Sequence, residues 1–161
     1  MRSKGKMKFI VMSVLFIAIM VSTCKKEDEN HHRRIVIINN SEKDIYACCD
    51  GTYPDTLGDV GGLTSNPDRF KVKAHTNNRN AIRMISGAFW EDVFKYGNSI
   101  PSDTLMVFIL DAALLESRHG RNAIIQRYDL SLQDLQHVNW TLYYPPSPNM
   151  SAIKMYPPYG Q

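Results

Sequence analysis

Apolar positions along the chain come in short runs separated by turn residues, and no long stretch repeats at helical spacing. Ile35 to Ile38 is a β-branched run, "NNSEKD" supplies Asn, Ser and Asp, and the apolar pattern restarts at Ile45 and Tyr46. This predicts two strands joined by a turn. Asp50 to Asp68, rich in Gly, Pro, Asp, Thr and Asn, reads as a long loop. In "RFKVKA", Phe70, Val72 and Ala74 alternate with Arg69, Lys71 and Lys73, a period of two that predicts a half-buried strand with a basic face in solvent. "HTNNRN" reads as a turn and "AIRMIS" as a short strand after it, whereas "GAFWEDVF" has no clear period. "TLMVFIL", Thr104 to Leu110, is continuously apolar and predicts a central strand covered on both faces. "AALLE" suits one or two helical turns and "AIIQRYDL" a further strand.

In "SLQDLQHV", Ser131 stands three residues before Asp134, the spacing of a capping box with Asp in the Glu position, and Leu132, Leu135 and Val138 recur at threes. A short helix near 131–138 follows. "WTLYY" closes as a strand with Trp140, Leu142 and Tyr144 on one face. The Pro-rich end cannot be interior sheet, because proline donates no ladder hydrogen bond. It predicts an extended segment lying over the domain, pinned by Tyr156 and Tyr159. Short strands with turn clusters between them make the chain mainly β, a single-domain β-sandwich, with α+β as the alternative.

The N-terminus breaks this pattern. Arg2, Lys4, Lys6 and Lys8 precede the apolar run Phe9 to Val21. A spanning helix needs about twenty apolar residues, so the run suits the core of a secretory signal better than an uncleaved anchor. After it, Ser22 and Thr23 lead into Cys24, and this resembles a bacterial lipobox, departing from it at Thr23, where Gly, Ala or Ser is commoner. The resemblance implies a diacylglycerol cysteine at Cys24, removal of the leader and acylation of the new amine by a chain such as palmitate; an unmodified thiol is the alternative. Two or more acyl chains hold a protein stably in a bilayer. The following Lys25, Lys26, Glu27, Asp28 and Glu29 resemble the surface-export signal of Bacteroidota lipoproteins, and a solvated tether is the plainer reading of such a charge run.

These resemblances imply an outer-membrane, lipid-anchored and surface-exposed protein, with a periplasm-facing position as the alternative. The expected organisation is a signal peptide over 1–23, an acylated Cys with a charged tether over 24–32, and one β-rich domain over 33–161. The stretch from "TLMVFILDAALLE" to "RYDLSLQDLQHVNWTLYYPP" is similar to the C-terminal half of small uncharacterised lipoproteins of gut Bacteroidota, a family that brings no catalytic residues with it.

Charge changes the picture only once the leader is set aside. The whole chain carries +3, but four of its nineteen Lys and Arg lie in the leader, and the remainder from Cys24 has fifteen against sixteen acidic residues. No basic stripe of the kind that displaces counterions from phosphates is visible in the sequence, so no nucleic-acid partner is expected. Cys48 and Cys49 are adjacent and poorly placed for a disulfide; on a strand they point to opposite faces and fill core or edge.

Candidate chemistry is sparse. His31 and His32 belong to the tether, and His75, His119 and His137 are scattered without metal-ligand spacing. Ser86 in "ISGA" lacks the glycines of a nucleophile elbow, and "GDVGG" lacks the Lys-Ser/Thr of a phosphate loop. A glycosidase pair could be nominated from Glu91 and Asp92, or from Asp111 and Glu116. Trp90, Tyr53, Tyr96 and Tyr143 are possible ligand-facing aromatics, with Trp140 assigned to the core. Thr56, in "DTL", resembles an O-glycosylation acceptor of exported Bacteroidota proteins. The expectation is a non-enzymatic module that binds a glycan or an envelope protein and takes no cofactor or metal; the alternative is a small surface hydrolase acting on glycans.

Overall fold

The apolar run expected as a central strand is one: Leu105–Asp111 is buried along its whole length. The structure, a computed structural model, describes residues 27–54, 60–85, 87–97, 99–117 and 120–161. The leader, Cys24, Lys25, Lys26, Thr56, Ser86 and His119 lie outside the described residues. In chain order the elements are β1 (Arg34–Asn39), β2 (Ile45–Asp50), α1 (Gly61–Thr64), α2 (Pro67–Phe70), β3 (Lys71–Val72), β4 (Thr76–Arg83), α3 (Trp90–Tyr96) and β5 (Leu105–Asp111). Then follow α4 (Ala112–Glu116), β6 (Ile124–Leu130), α5 (Leu132–His137), β7 (Thr141–Tyr144) and β8 (Lys154–Tyr156), with 3-10 turns at Gly120–Ala123 and Pro148–Met150.

The fold is mainly β, in two sheets. One sheet has the order β3-β2-β5-β6-β8 and is antiparallel throughout. The other has the order β4-β1-β7, with β1 antiparallel to β4 and parallel to β7. Because successive strand residues face opposite ways, β5 feeds two cores. Leu105, Val107 and Ile109 meet Ile35, Ile37, Ile82 and Leu142 of the other sheet. Met106, Phe108 and Leu110 face away, onto Leu63 of α1 and Leu115 of α4. Each large side chain buried this way contributes about 1.5–3 kcal/mol. Cys48 and Cys49 divide between the same two faces, as neighbours on a strand must.

β1 and β2 are strands joined by the expected turn, but they do not pair with each other; each enters a different sheet. The corner is held by Asn39, fully buried, whose Nδ2 donates to the carbonyls of Lys43 (2.7 Å) and Val72 (3.1 Å). Its Oδ1 accepts from the Ser41 N–H at 3.0 Å and the Ser41 hydroxyl at 2.7 Å. A buried amide with its hydrogen bonds made specifies one geometry where an apolar residue would allow several.

The capping box is formed: Ser131 Oγ accepts from the Asp134 N–H (3.2 Å), and Asp134 accepts from the Ser131 N–H (2.9 Å). The helix ends when the Trp140 N–H reaches back five residues to the Leu135 carbonyl (2.8 Å), with Asn139 and Trp140 both left-handed at φ 48° and 57°. A bulky residue in that conformation costs about 1–2 kcal/mol, and burial of the indole offsets it.

Several expectations are corrected. Pro67–Phe70 form a helical turn with Pro67 at its start, so the "RFKVKA" strand shrinks to Lys71–Val72. "HTNNRN" is not a turn; β4 runs through it from Thr76 to Arg83, hydrogen-bonded to β1. "GAFWEDVF" contains a helix, α3, with Glu91 and Asp92 in its first turn, where acidic side chains suit the helix dipole. The C-terminal segment supplies an edge strand, β8, whose prolines fall outside it; Met150, Ile153 and Met155 pin it, while Tyr156 and Tyr159 are exposed.

Candidate functional site

Polar side chains concentrate on β4, and the local geometry explains how. Ile35 pairs with Ile82 but Ile37 with Asn78, so β4 carries extra residues and bulges between them. Asn78 builds the bulge: its Oδ1 accepts from the Asn80 N–H (2.7 Å) and the Ala81 N–H (3.2 Å). Its Nδ2 donates to the carbonyls of Arg69 (2.8 Å) and Lys71 (2.9 Å), tying α2 to the strand. A bulge bends its strand and re-aims side chains. Here it turns Arg79 and Asn80 outward.

Three clefts adjoin along this edge. One of about 450 Å³ is lined by Lys71, Lys73, Asn77, Asn78 and Arg79 together with Asp68. Through Asn80 it meets a second, of about 310 Å³, lined also by Arg69, Arg83 and Ile85. The two arginines also line a third, of about 420 Å³, whose other walls include Asp50, Phe70, Met84 and Trp90. Lys71 is committed to Glu116 (2.9 Å) and Asp44 (3.4 Å), which raise its pKa, Glu116 most. Arg69, Lys73, Arg79 and Arg83 form no ion pair among the described residues. The groove therefore offers Lys73, Arg79 and Arg83 without an ion pair among the described residues, and Arg69 stacked on the Phe70 ring (4.6 Å), beside asparagine amides, an arrangement suited to an extended anionic and hydroxyl-rich ligand.

The nominated aromatics do not converge. Trp90 is only 4% exposed and packs in the core between the sheets, which corrects its assignment to the surface; the N-terminal turn of α3 places it inward. Its Nε1 is buried without a hydrogen-bond partner among the described residues. Tyr96 is 71% exposed at the far end of α3, with the Lys95 ammonium 5.1 Å from its ring centre. Tyr143 is half-buried on β7 and its carbonyl accepts from the Tyr128 hydroxyl (2.8 Å). Tyr53 lies on another face, where its hydroxyl accepts from Lys154 Nζ at 2.9 Å. There Arg127 stands 5.6 Å from the Tyr53 ring and 5.5 Å from that of Tyr156. Arg127 is held by Asp129 at 2.5 Å, and Lys154 approaches the second oxygen of Asp129 at 3.5 Å.

Of the nominated carboxylate pairs, Asp111 and Glu116 do share a cleft, of about 350 Å³, with Asp44, Lys43 and Lys71. Asp111 accepts from the Leu114 N–H, which with Lys43 holds its carboxyl below the usual range against the opposing effect of burial. Lys71, then the Tyr46 hydroxyl, does the same for Glu116. A glycosidase acid needs the opposite shift, since it must keep its proton. Glu91 binds the His32 backbone N–H (2.9 Å) and ring Nδ1 (2.6 Å), while Asp92 is exposed. The two cysteines are poor nucleophiles: burial, then Asp50, pushes the Cys49 thiol up to about 12, and burial carries Cys48 well above its ordinary range.

His31 and His32 are not in a free tether. The His32 ring stacks on Trp140 at 4.5 Å and 13°, and that of His31 lies 4.7 Å from Phe89. His137 lies exposed on α5, and His75 pairs with Glu42 at 3.0 Å. Composition concealed the groove because a net charge near zero does not say where the cations sit. Its signal was the Asn/Arg alternation in "TNNRNAIR", read above as turn and strand. No protein-family model, curated protein or solved structure matched the chain.

Proposed function

We propose that the chain is a lipid-anchored protein of the outer membrane, exposed at the cell surface, and acts as a non-enzymatic binding module for an anionic glycan. The observation that carries this reading is the β4 groove, where Arg79 and Arg83 form no ion pair among the described residues and stand with Arg69 beside Asn77 and Asn80. Guanidinium groups bind carboxylate or sulfate in a fork, and amides bind hydroxyls. The lowered carboxyls of Asp111 and Glu116 do not suit that pair to supply the proton-retaining acid of a glycosidase. Anchoring at Cys24, export through Glu27, Asp28 and Glu29, and glycosylation at Thr56 rest on their sequence resemblances.

The test is titration of the protein with an acidic polysaccharide (polyuronate or sulfated) and with a neutral one of equal length. Binding to the acidic chain should weaken with salt, because exposed charges are screened over about 8 Å at physiological ionic strength. A charge-assisted hydrogen bond contributes about 1.5–3 kcal/mol, so Arg79→Ser and Arg83→Ser should each lower affinity about tenfold or more. Equal binding to the neutral chain, or variants that bind like wild type, overturns the reading.

A further inference from the structure

The segment just before β1, expected as a solvated tether, is fastened to the domain. His32 engages three ways: its N–H binds Glu91 (2.9 Å), its carbonyl accepts from the Trp90 N–H (2.8 Å), and its ring stacks on Trp140. The Arg33 carbonyl accepts from the Met84 N–H (2.9 Å), and the Arg33 guanidinium lies 4.7 Å from the centre of the Phe89 ring. Upstream, Glu27 accepts from the Arg33 N–H (2.9 Å) and approaches Arg34 at 3.8 Å. Asp28 closes a turn on the Asn30 N–H (2.9 Å) and the His31 ring (2.8 Å).

The loop leaving β4 is thus bracketed by the fastened segment, with Met84 on Arg33 and Trp90 on His32. Ile85 in that loop and Tyr96 at the end of α3 are the two most exposed large apolar side chains among the described residues, at 78% and 71%. Cys24 stands three residues before Glu27, and three residues reach at most about 10 Å. A side chain such as Tyr, with an apolar body and polar tip, suits the boundary between lipid and water.

We infer that the domain rests directly on a lipid surface, with the end that carries Ile85 and Tyr96 turned toward the bilayer and the corner at Ser41–Lys43 turned away. This rests on the proposed anchoring at Cys24. Two residues, Lys25 and Lys26, separate the anchor from Glu27, which leaves the fold little room to swing. Lys95, exposed beside Tyr96, offers a cation to lipid head groups. The groove along β4 then runs from the bilayer outward, since Arg83 pairs near the start of β1 and Thr76 at its far end.

The test uses the full chain in the membranes of cells that express it. A fluorophore is attached to Ile85→Cys or, separately, to Glu42→Cys at the opposite corner, both at exposed positions. Because Cys49 is only half-buried and both Cys48 and Cys49 line a cleft, the two are replaced by Ser in the labelled chains. Lipid-borne nitroxide should quench the Ile85→Cys label several-fold more than the Glu42→Cys label, while a fatty-acid probe reports acylation of the same chains. Acylation with equal quenching at both positions, or more at Glu42→Cys, overturns the orientation and leaves the anchor standing. Absence of acylation removes the anchor and the orientation with it.

Discussion

β4 and β5 differ by one residue in length and by almost everything else. Every residue of β5 is buried, with a strand on each side and a core on each face. β4 is an edge strand that exposes Thr76, Asn77, Arg79, Asn80 and Arg83 and sinks only Ala81 and Ile82. The sequence of β5 is used up by packing, so little there is free to meet a partner. On β4 most side chains contribute nothing to the core, and their identity is open to another purpose. Charged residues along an edge also discourage pairing with another chain, so the same arginines protect the fold and shape the groove.

The sharpest way to break this contrast is to truncate one side chain on each strand. Phe108→Ala should cost about 3–5 kcal/mol, whereas Arg79→Ala should stay within about 0.5 kcal/mol of wild type. Urea midpoints measure both, and equal losses would erase the distinction.

The two tryptophans refine it. Both are 4% exposed, so Trp90→Ala and Trp140→Ala should each cost about 3–5 kcal/mol, against the sequence expectation that Trp90 is the dispensable one. Trp140 adds a backbone signature. Because its φ is +57°, Trp140→Gly should be more stable than Trp140→Ala by about 1 kcal/mol, the reverse of the usual order in regular structure. Denaturation of the pair decides it.

Smaller effects follow at helix starts. Ser131→Ala removes half of a capping box and should cost about 1 kcal/mol, read from the thermal midpoint. Asp111→Asn should cost less than about 1 kcal/mol at pH 7, since Asn also caps and the lost Lys43 pair is exposed on the lysine side. Its sign is set by pH. The folded Asp111 carboxyl lies below its ordinary value, so the wild-type advantage is present above pH about 4 and lost as pH falls through the folded pKa. The gap between melts of the two proteins should shrink as pH falls below about 4, and a gap that widens on acidification would contradict the assignment.

What could be read in advance follows the same division. β5, the α5 capping box and the opposite faces of Cys48 and Cys49 were legible, because local pattern and burial agree there. β4 was not: its Asn and Arg residues carry turn propensity, and only the pairing with β1 makes them a strand. "GAFWEDVF" concealed a helix because a single amphipathic turn and a half gives too short a period to recognise. The docking of His32 depends on Glu91, fifty-nine residues away, and on Trp140, farther still. Such a contact exists only in the folded chain, and so does the groove, whose cations come from α2, β3 and β4 together with the link after β3.

The parallel pairing of β1 with β7 sets when the molecule can finish folding. Val36 meets Thr141 and Asn39 meets Tyr144, partners about a hundred residues apart in sequence. Contacts that distant are slow to form, because the loop between them must close before they repay its entropy. A chain made from its N-terminus leaves one side of β1 open until Tyr144 has emerged, so the three-stranded sheet is completed only near the end of synthesis. Until then the polypeptide stays unlocked and threadable, and loss of β7 would leave β1 as a second bare edge.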